Sequence, residues 1–79
     1  SRKTGEYISR SEARRLLFGL EKFKRVVLDF DQVPGIGQGF ADEIFRVFAR
    51  KNPQIRIETA GMSPSVAFLV NRARQESLQ

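Results

Sequence analysis

The sequence predicts a small α/β domain of order (β)αβαβα, with a short, mainly parallel sheet and helices packed on it. Val26-Val27-Leu28-Asp29-Phe30 and Ile55-Arg56-Ile57-Glu58-Thr59 are runs rich in β-branched and aromatic residues at strand length. Around them stand three segments whose apolar residues recur at helical spacing. Strands separated by helices pair in parallel, through right-handed crossovers. At 79 residues the chain is one domain, 1–79, able to bury one modest core. No internal repeat or low-complexity linker divides it.

Residues Ser1 to about Gly5 read as a tail, and Glu6-Tyr7-Ile8 as a short strand. Ser9 followed by Glu12 is a capping box, and the spacing predicts a helix from there to about Lys22. Its stripe is Ala13, Leu16, Leu17 and Leu20; Gly19 costs it roughly 1 kcal/mol against alanine and loosens that end. Val26 to Phe30 is apolar almost throughout, the pattern of a central strand covered on both faces. A glycine-rich turn, Pro34-Gly35-Ile36-Gly37-Gln38-Gly39, leads into a helix from about Gly39 to Arg50. Ala41, Ile44, Phe45 and Phe48 form its apolar face, widened by Phe40 and Val47. Asp42 and Glu43 in its first turn, and Arg46, Arg50 and Lys51 in its last, match the helix dipole. Asp42 and Arg46 are also an i,i+4 pair.

Asn52-Pro53 stops that helix. Ile55, Ile57 and Thr59 alternate with Arg56 and Glu58, giving a strand with one wet face. Ala60-Gly61 turns the chain. Ser63 is a good N-cap with Pro64 at the first helical position. Val66, Leu69, Val70 and Ala73 form the last stripe, and Gln75 to Gln79 reads as a loose tail.

Composition excludes several function classes. There are no cysteines, so no disulfide framework and no thiol chemistry; a reducing cytoplasm is the compatible and expected location. There are no histidines, which removes the commonest general base and zinc ligand. No cofactor and no metal site is expected. No apolar run approaches membrane-spanning length. Met62 is the only methionine, so Ser1 is not a translation start; the expected explanation is an excerpt or C-terminal domain of a longer protein, with a cleavage scar as the alternative. The net charge of +5, concentrated in the N-terminal third, argues mildly for acidic partners.

The central turn admits chemical readings that its residues do not sustain. Gly35-Ile36-Gly37 starts like a dinucleotide fingerprint, but the third glycine position holds Phe40, or Asp42 in the shifted frame. A phosphate loop of the Gly-Lys-Ser/Thr type is absent. Val26-Val27-Leu28-Asp29-Phe30-Asp31 resembles the first motif of haloacid-dehalogenase phosphatases, with Asp29 in the place of the nucleophile and Asp31 in that of the acid. Magnesium needs further carboxylates from another strand end, and after Glu58 the only acid is Glu76. Asp29 and Asp31 are therefore expected to be solvent-facing strand-end and turn residues, the catalytic set is empty, and the chain is not expected to be an enzyme.

A whole-chain resemblance decides between the readings. Ile8-Ser9-Arg10-Ser11-Glu12-Ala13, Leu28-Asp29-Phe30, Ile36-Gly37-Gln38-Gly39-Phe40-Ala41-Asp42-Glu43-Ile44-Phe45 and Asn71-Arg72-Ala73 resemble a bacterial STAS-like domain family of unknown function, related to the STAS fold of anti-sigma-factor antagonists and sulfate transporters. The resemblance runs from Ile8 to Ala73, and Gly37 to Phe45 is its most specific part. It implies a non-enzymatic, regulatory, signalling domain that works by protein–protein interaction. In the antagonists, the loop and helix start after the central strand dock on a kinase with an ATP-binding fold, and phosphorylation of a serine there switches binding off by adding negative charge. Here the corresponding positions hold Gly37, Gln38, Gly39 and Phe40, and no hydroxyl occurs between Ser11 and Thr59, so that switch is lost.

The partner-binding residues this implies are Gly35, Ile36, Gly37, Gln38, Gly39, Phe40, Asp42 and Glu43. The expected partner is a protein, either an ATP-binding kinase-like regulator or an adjacent domain of the same chain. The glycines are also explained by backbone turns that other residues cannot make. Asp42 and Glu43 are expected to favour a cationic or hydrogen-bonding partner. Phe18 and Phe68 lie off their stripes and either widen the core or form an exposed apolar patch. Arg10, Arg14 and Arg15 form either a solvated face or, as the alternative function, a phosphate-binding surface for nucleic acid. No aromatic is interleaved with them for base stacking, which disfavours nucleic acid. The first expected outcome is chemical: the purified chain with magnesium should not hydrolyse a generic phosphate ester. Turnover that disappears in Asp29→Asn would refute this.

Overall fold

The structure is a computed structural model and describes residues 8–79. The expected N-terminal tail and Glu6 and Tyr7 of the expected first strand lie outside the described residues. Ile8 does make a parallel bridge, to Ile36.

Helix α1 spans Arg10–Leu17. The Ser9 N–H donates to the Glu12 carboxylate at 2.8 Å, as the capping box requires. The helix ends five residues earlier than its apolar spacing predicts. Phe18 is extended, with φ −58° and ψ 123°. Gly19 follows at φ 82°, the left-handed conformation that glycine adopts without steric cost. Gly19 thus terminates the helix rather than loosening it, and Leu20–Lys22 form a separate 3-10 turn.

Strand β1, Arg25–Asp29, pairs in parallel with β2, Arg56–Ala60, with Arg25 opposite Arg56 and Leu28 opposite Thr59. These are the two strands of the sheet among the described residues. The expectation that β1 is covered on both faces fails. Leu28 and Phe30 are buried, but Val27 between them is 50% exposed. The apolar run marked one buried face and one open one, because the buried core residues of all three helices lie with Leu28, Phe30 and Ile55 in a single cluster.

The second helix is continuous but not uniform. Gln38–Asp42 is α-helical, Glu43–Phe48 is π-helical, and Ala49–Lys51 is α-helical again; the three form one rod, α2. Asp42, Glu43, Phe48 and Ala49 at the junctions all keep helical dihedrals. Phe40, Ile44 and Phe48, four residues apart along this rod, are all buried together with Ala41 and Phe45. The predicted apolar face is thus present. Asn52 leaves the helix at φ −131° and ψ 63°.

Helix α3 spans Pro64–Ser77, capped by the Ser63 hydroxyl, which accepts from the Val66 N–H at 3.2 Å. Val66, Val70 and Ala73 are buried and Leu69 is partly so, as predicted. The expected loose tail from Gln75 is shorter than predicted. Arg50 donates to the carbonyls of Glu76 and Gln79 at 2.8 and 2.9 Å, satisfying acceptors that a helix end leaves open. That contact joins residues 26 and 29 positions apart, beyond the reach of a local pattern.

Core and surface phenylalanines separate clearly. Phe30, Phe40, Phe45 and Phe48 are buried, whereas Phe18 and Phe68 are 88% and 63% exposed. Both therefore belong to the surface and do not widen the core. Phe45→Ala should cost about 3–5 kcal/mol, a large part of the stability of so small a domain. Phe18→Ala should change stability by no more than about 0.5 kcal/mol. Urea denaturation of the two variants checks this, and equal losses would contradict the assigned core.

Candidate functional site

The candidate site is the turn between β1 and α2 together with the first turn of α2. It is built on backbone held from three sides. The Gly37 N–H donates to the Ile8 carbonyl at 2.9 Å. The Pro34 carbonyl accepts from the Ser63 and Ser65 hydroxyls at 3.2 and 3.1 Å. The Val33 N–H closes back on the Phe30 carbonyl at 2.9 Å. The two serine bonds tie the start of α3 to this turn, although 29 and 31 residues separate the partners. Sequence reasoning saw Ser63 only as a cap.

The predicted site residues do not all face the same way. Ile36 and Phe40 are buried in the core. Phe40 meets Phe30 edge-on, with ring centres 6.5 Å apart at 83°. Gln38 is exposed, and Gly35, Gly37 and Gly39 are partly so. The glycines are not there for left-handed backbone: Gly37 has φ −81°. Positive φ falls instead on Gln32 in the preceding turn and on Gly19 and Gly61. Gly39 answers a close approach. A Cβ there would lie 3.1 Å from the Cβ of Arg10, so glycine lets α1 and α2 pack tightly.

Asp42 and Glu43 are engaged within the chain. Arg46 clamps Asp42 through two nitrogens, one of them at 2.8 Å. Arg10 reaches both acids, at 2.9 Å each, and Arg14 lies 3.6 Å from Glu43. The acid side chains are only 19% and 13% exposed. The expectation that they favour a cationic or hydrogen-bonding partner is corrected in its cationic half, because three arginines of the same domain already meet them. The signal for Asp42–Arg46 was local spacing. Arg10 was invisible as a partner because 33 residues separate it from Glu43. The Arg46 hydrogen bond, helped by Arg10, holds the Asp42 carboxyl below the usual carboxylate range despite burial, which acts the other way.

Asp29 at the end of β1 and Asp31 in the following turn are both exposed, as expected. The Asp31 N–H donates to the Asp29 carboxylate at 2.9 Å, so Asp29 shapes the turn. Gly61 packs against it. A Cβ at Gly61 would lie 3.0 Å from the Asp31 nitrogen, and its φ of +69° already calls for glycine. Among the described residues, no three acids come together as a metal site.

Comparison with known proteins places this arrangement. A family model described as "STAS-like domain of unknown function (DUF4325)" matches residues 12–67, more than half of the chain. The chain belongs to this family. No curated protein and no solved structure matches it significantly. The match spans α1 from Glu12 onward, both strands, all of α2 and the start of α3, so it takes in the turn and the first part of α2, while Ile8 and Arg10 lie just before it. The small α/β architecture with parallel strands is consistent with a STAS-like fold. No helix among the described residues of this STAS-like domain is long and apolar enough to cross a membrane.

The arginine clamp makes the STAS-like domain sensitive to acid. The folded pKa of Asp42 lies below its unfolded value of about 3.9. Its contribution to stability is complete above about pH 5 and is lost as pH falls through the folded value. Thermal melts between pH 6 and 2 should fall less steeply in Asp42→Asn than in the wild type. At neutral pH that variant should lose about 1 kcal/mol. Parallel pH profiles would remove Asp42 from the account.

Proposed function

We propose that this STAS-like domain is a non-enzymatic protein-recognition module that presents the turn Pro34 to Gln38 and the start of α2 to a protein partner in a bacterial, cytoplasmic regulatory pathway. The partner is a regulator with an ATP-binding, kinase-like fold or an adjacent domain of the same protein. One observation supports this reading above the others. The exposed Gln38 sits on backbone fixed by Ile8, Ser63 and Ser65, so little conformational freedom remains to be lost on docking.

The recognition is hydrogen-bonding and shape-based rather than ionic, because Asp42 and Glu43 are satisfied inside the domain. Ile36 and Phe40 act from below, holding the turn in place. Phosphorylation within the turn has no acceptor, since no hydroxyl lies between Ser11 and Thr59. Nucleic-acid binding through the first helix is less well supported, because Arg10 and Arg14 face the carboxylates of α2.

Site-specific photo-crosslinking in the full-length protein tests the proposal. A crosslinker at position 38 should trap one defined protein or one neighbouring domain, and a crosslinker at the exposed Gln54 should not. Gln38→Glu should reduce partner capture about tenfold by adding a buried charge at the interface, without altering the melting temperature. Equal trapping from positions 38 and 54, or undiminished capture by Gln38→Glu, would move the interface elsewhere.

A further inference from the structure

The sheet of this domain has an open face. The register pairs Arg25 with Arg56, Val27 with Glu58 and Asp29 with Ala60, and neighbours paired in a parallel ladder point to the same side. These six residues form the side away from Leu28 and Phe30. Five of them are exposed or half-exposed, and the Glu58 side chain keeps 34% of its surface. Parallel sheets are as a rule covered on both faces. Here one face presents Val27, 50% exposed, at its centre.

The charges on this face are graded along the strands. Both arginines stand at the N-terminal end, where Arg25 holds Glu58 at 2.8 Å and Arg56 lies 3.7 Å from the same residue. One positive charge is therefore left over at that end. At the other end stand Asp29 and, in the following turn, the exposed Asp31. Neither makes an ion pair among the described residues. A face that is positive at one end and negative at the other, with Val27 and the internally neutralised Glu58 between, is complementary to itself when turned end for end.

We infer that this open face docks on a second copy of the chain, about a twofold axis passing beside Val27. The two sheets stack face to face with their strands antiparallel. The arginine end of each copy lies over the Asp29 end of the other, and the two Val27 side chains meet on the axis. Glu58 also falls near the axis, where Arg25 and Arg56 of its own chain neutralise it. The contact is small, since five-residue strands span only about 16 Å. It falls short of the roughly 1,200–2,000 Å² of a standard interface. The association is accordingly weak and reversible, with a dissociation constant on the order of 100 µM.

Sedimentation equilibrium of the purified 79-residue chain, from low micromolar to about 1 mM, gives the first test. A concentration-dependent monomer–dimer equilibrium is expected, weakened by added salt. Val27→Glu puts two like charges on the axis and should weaken it at least tenfold, as should Asp29→Asn by a smaller factor. Phe68→Glu alters an equally exposed apolar residue on α3 and should leave dimerisation unchanged. A dilution series of amide NMR shifts on the wild type needs no variant. The shifts that move should cluster at residues 25–29 and 56–60. A chain that stays monomeric throughout, shifts that move elsewhere, or dimerisation lost in Phe68→Glu but kept in Val27→Glu would each overturn the inference.

Discussion

Phe40, Ile44, Phe45 and Phe48 line one side of α2, and every other element of the domain finds its apolar partner there or beside it. Phe30 brings the sheet in through its edge contact with Phe40. Ala13 and Leu17 bring in α1, and Val66, Val70 and Ala73 bring in α3. Arg74 of α3 lays its guanidinium 5.0 Å over the Phe45 ring while donating to the Ile57 carbonyl, so one side chain joins α3, α2 and β2. A domain of this size has a single core. The π-helical stretch of α2 is where that core is densest in large side chains, since Ile44 and Phe45 are the largest fully buried residues together with Val66 and Val70.

The same helix organises the polar surface. It starts at Gln38, so the carboxylates of Asp42 and Glu43 fall in its second turn rather than in the first turn that the sequence predicts, and arginines rather than the helix N-terminus are what they meet. The domain meets them with Arg10 and Arg14 from α1 and Arg46 from the next turn. Glycine at position 39 makes this possible by letting the Arg10 backbone come close. The pairing draws α1 onto α2 and withdraws charge from the turn that precedes it. What remains exposed is a short segment fixed by main-chain and serine hydrogen bonds. On the function proposed above, so fixed and nearly neutral a projection would be recognised by shape and hydrogen bonding more than by long-range attraction.

The legible parts of the fold and the site were those set by neighbours in sequence. The capping box at Ser9 and Glu12, the cap at Ser63, the Asp42–Arg46 pair and the apolar face of α2 all involve residues within about one helical turn. The misread parts have long-range causes. Val27 sits in an apolar run yet faces out, because the helices lie on one side of the sheet. The end of α3 reads as a loose tail, but Arg50 reaches the Glu76 and Ser77 carbonyls from α2. The glycines of the turn looked like conformational necessities. At Gly39 the constraint is instead the proximity of α1.

By itself the sequence determined the class of fold, the order of its elements, the family to which the chain belongs and the absence of any hydroxyl between Ser11 and Thr59. The fold class and element order follow from side-chain periodicity and caps, which act over a few positions, and the family from the match over residues 12–67. Only the tertiary structure decided which members of the Gly35–Glu43 segment are presented and which are spent inside. Ile36 and Phe40 went to the core, Asp42 and Glu43 to arginines, and Gln38 to the surface. The physical reason is that burial and ion pairing are set by which elements meet, and α1, α2 and α3 meet across separations of about thirty residues that no local pattern spans.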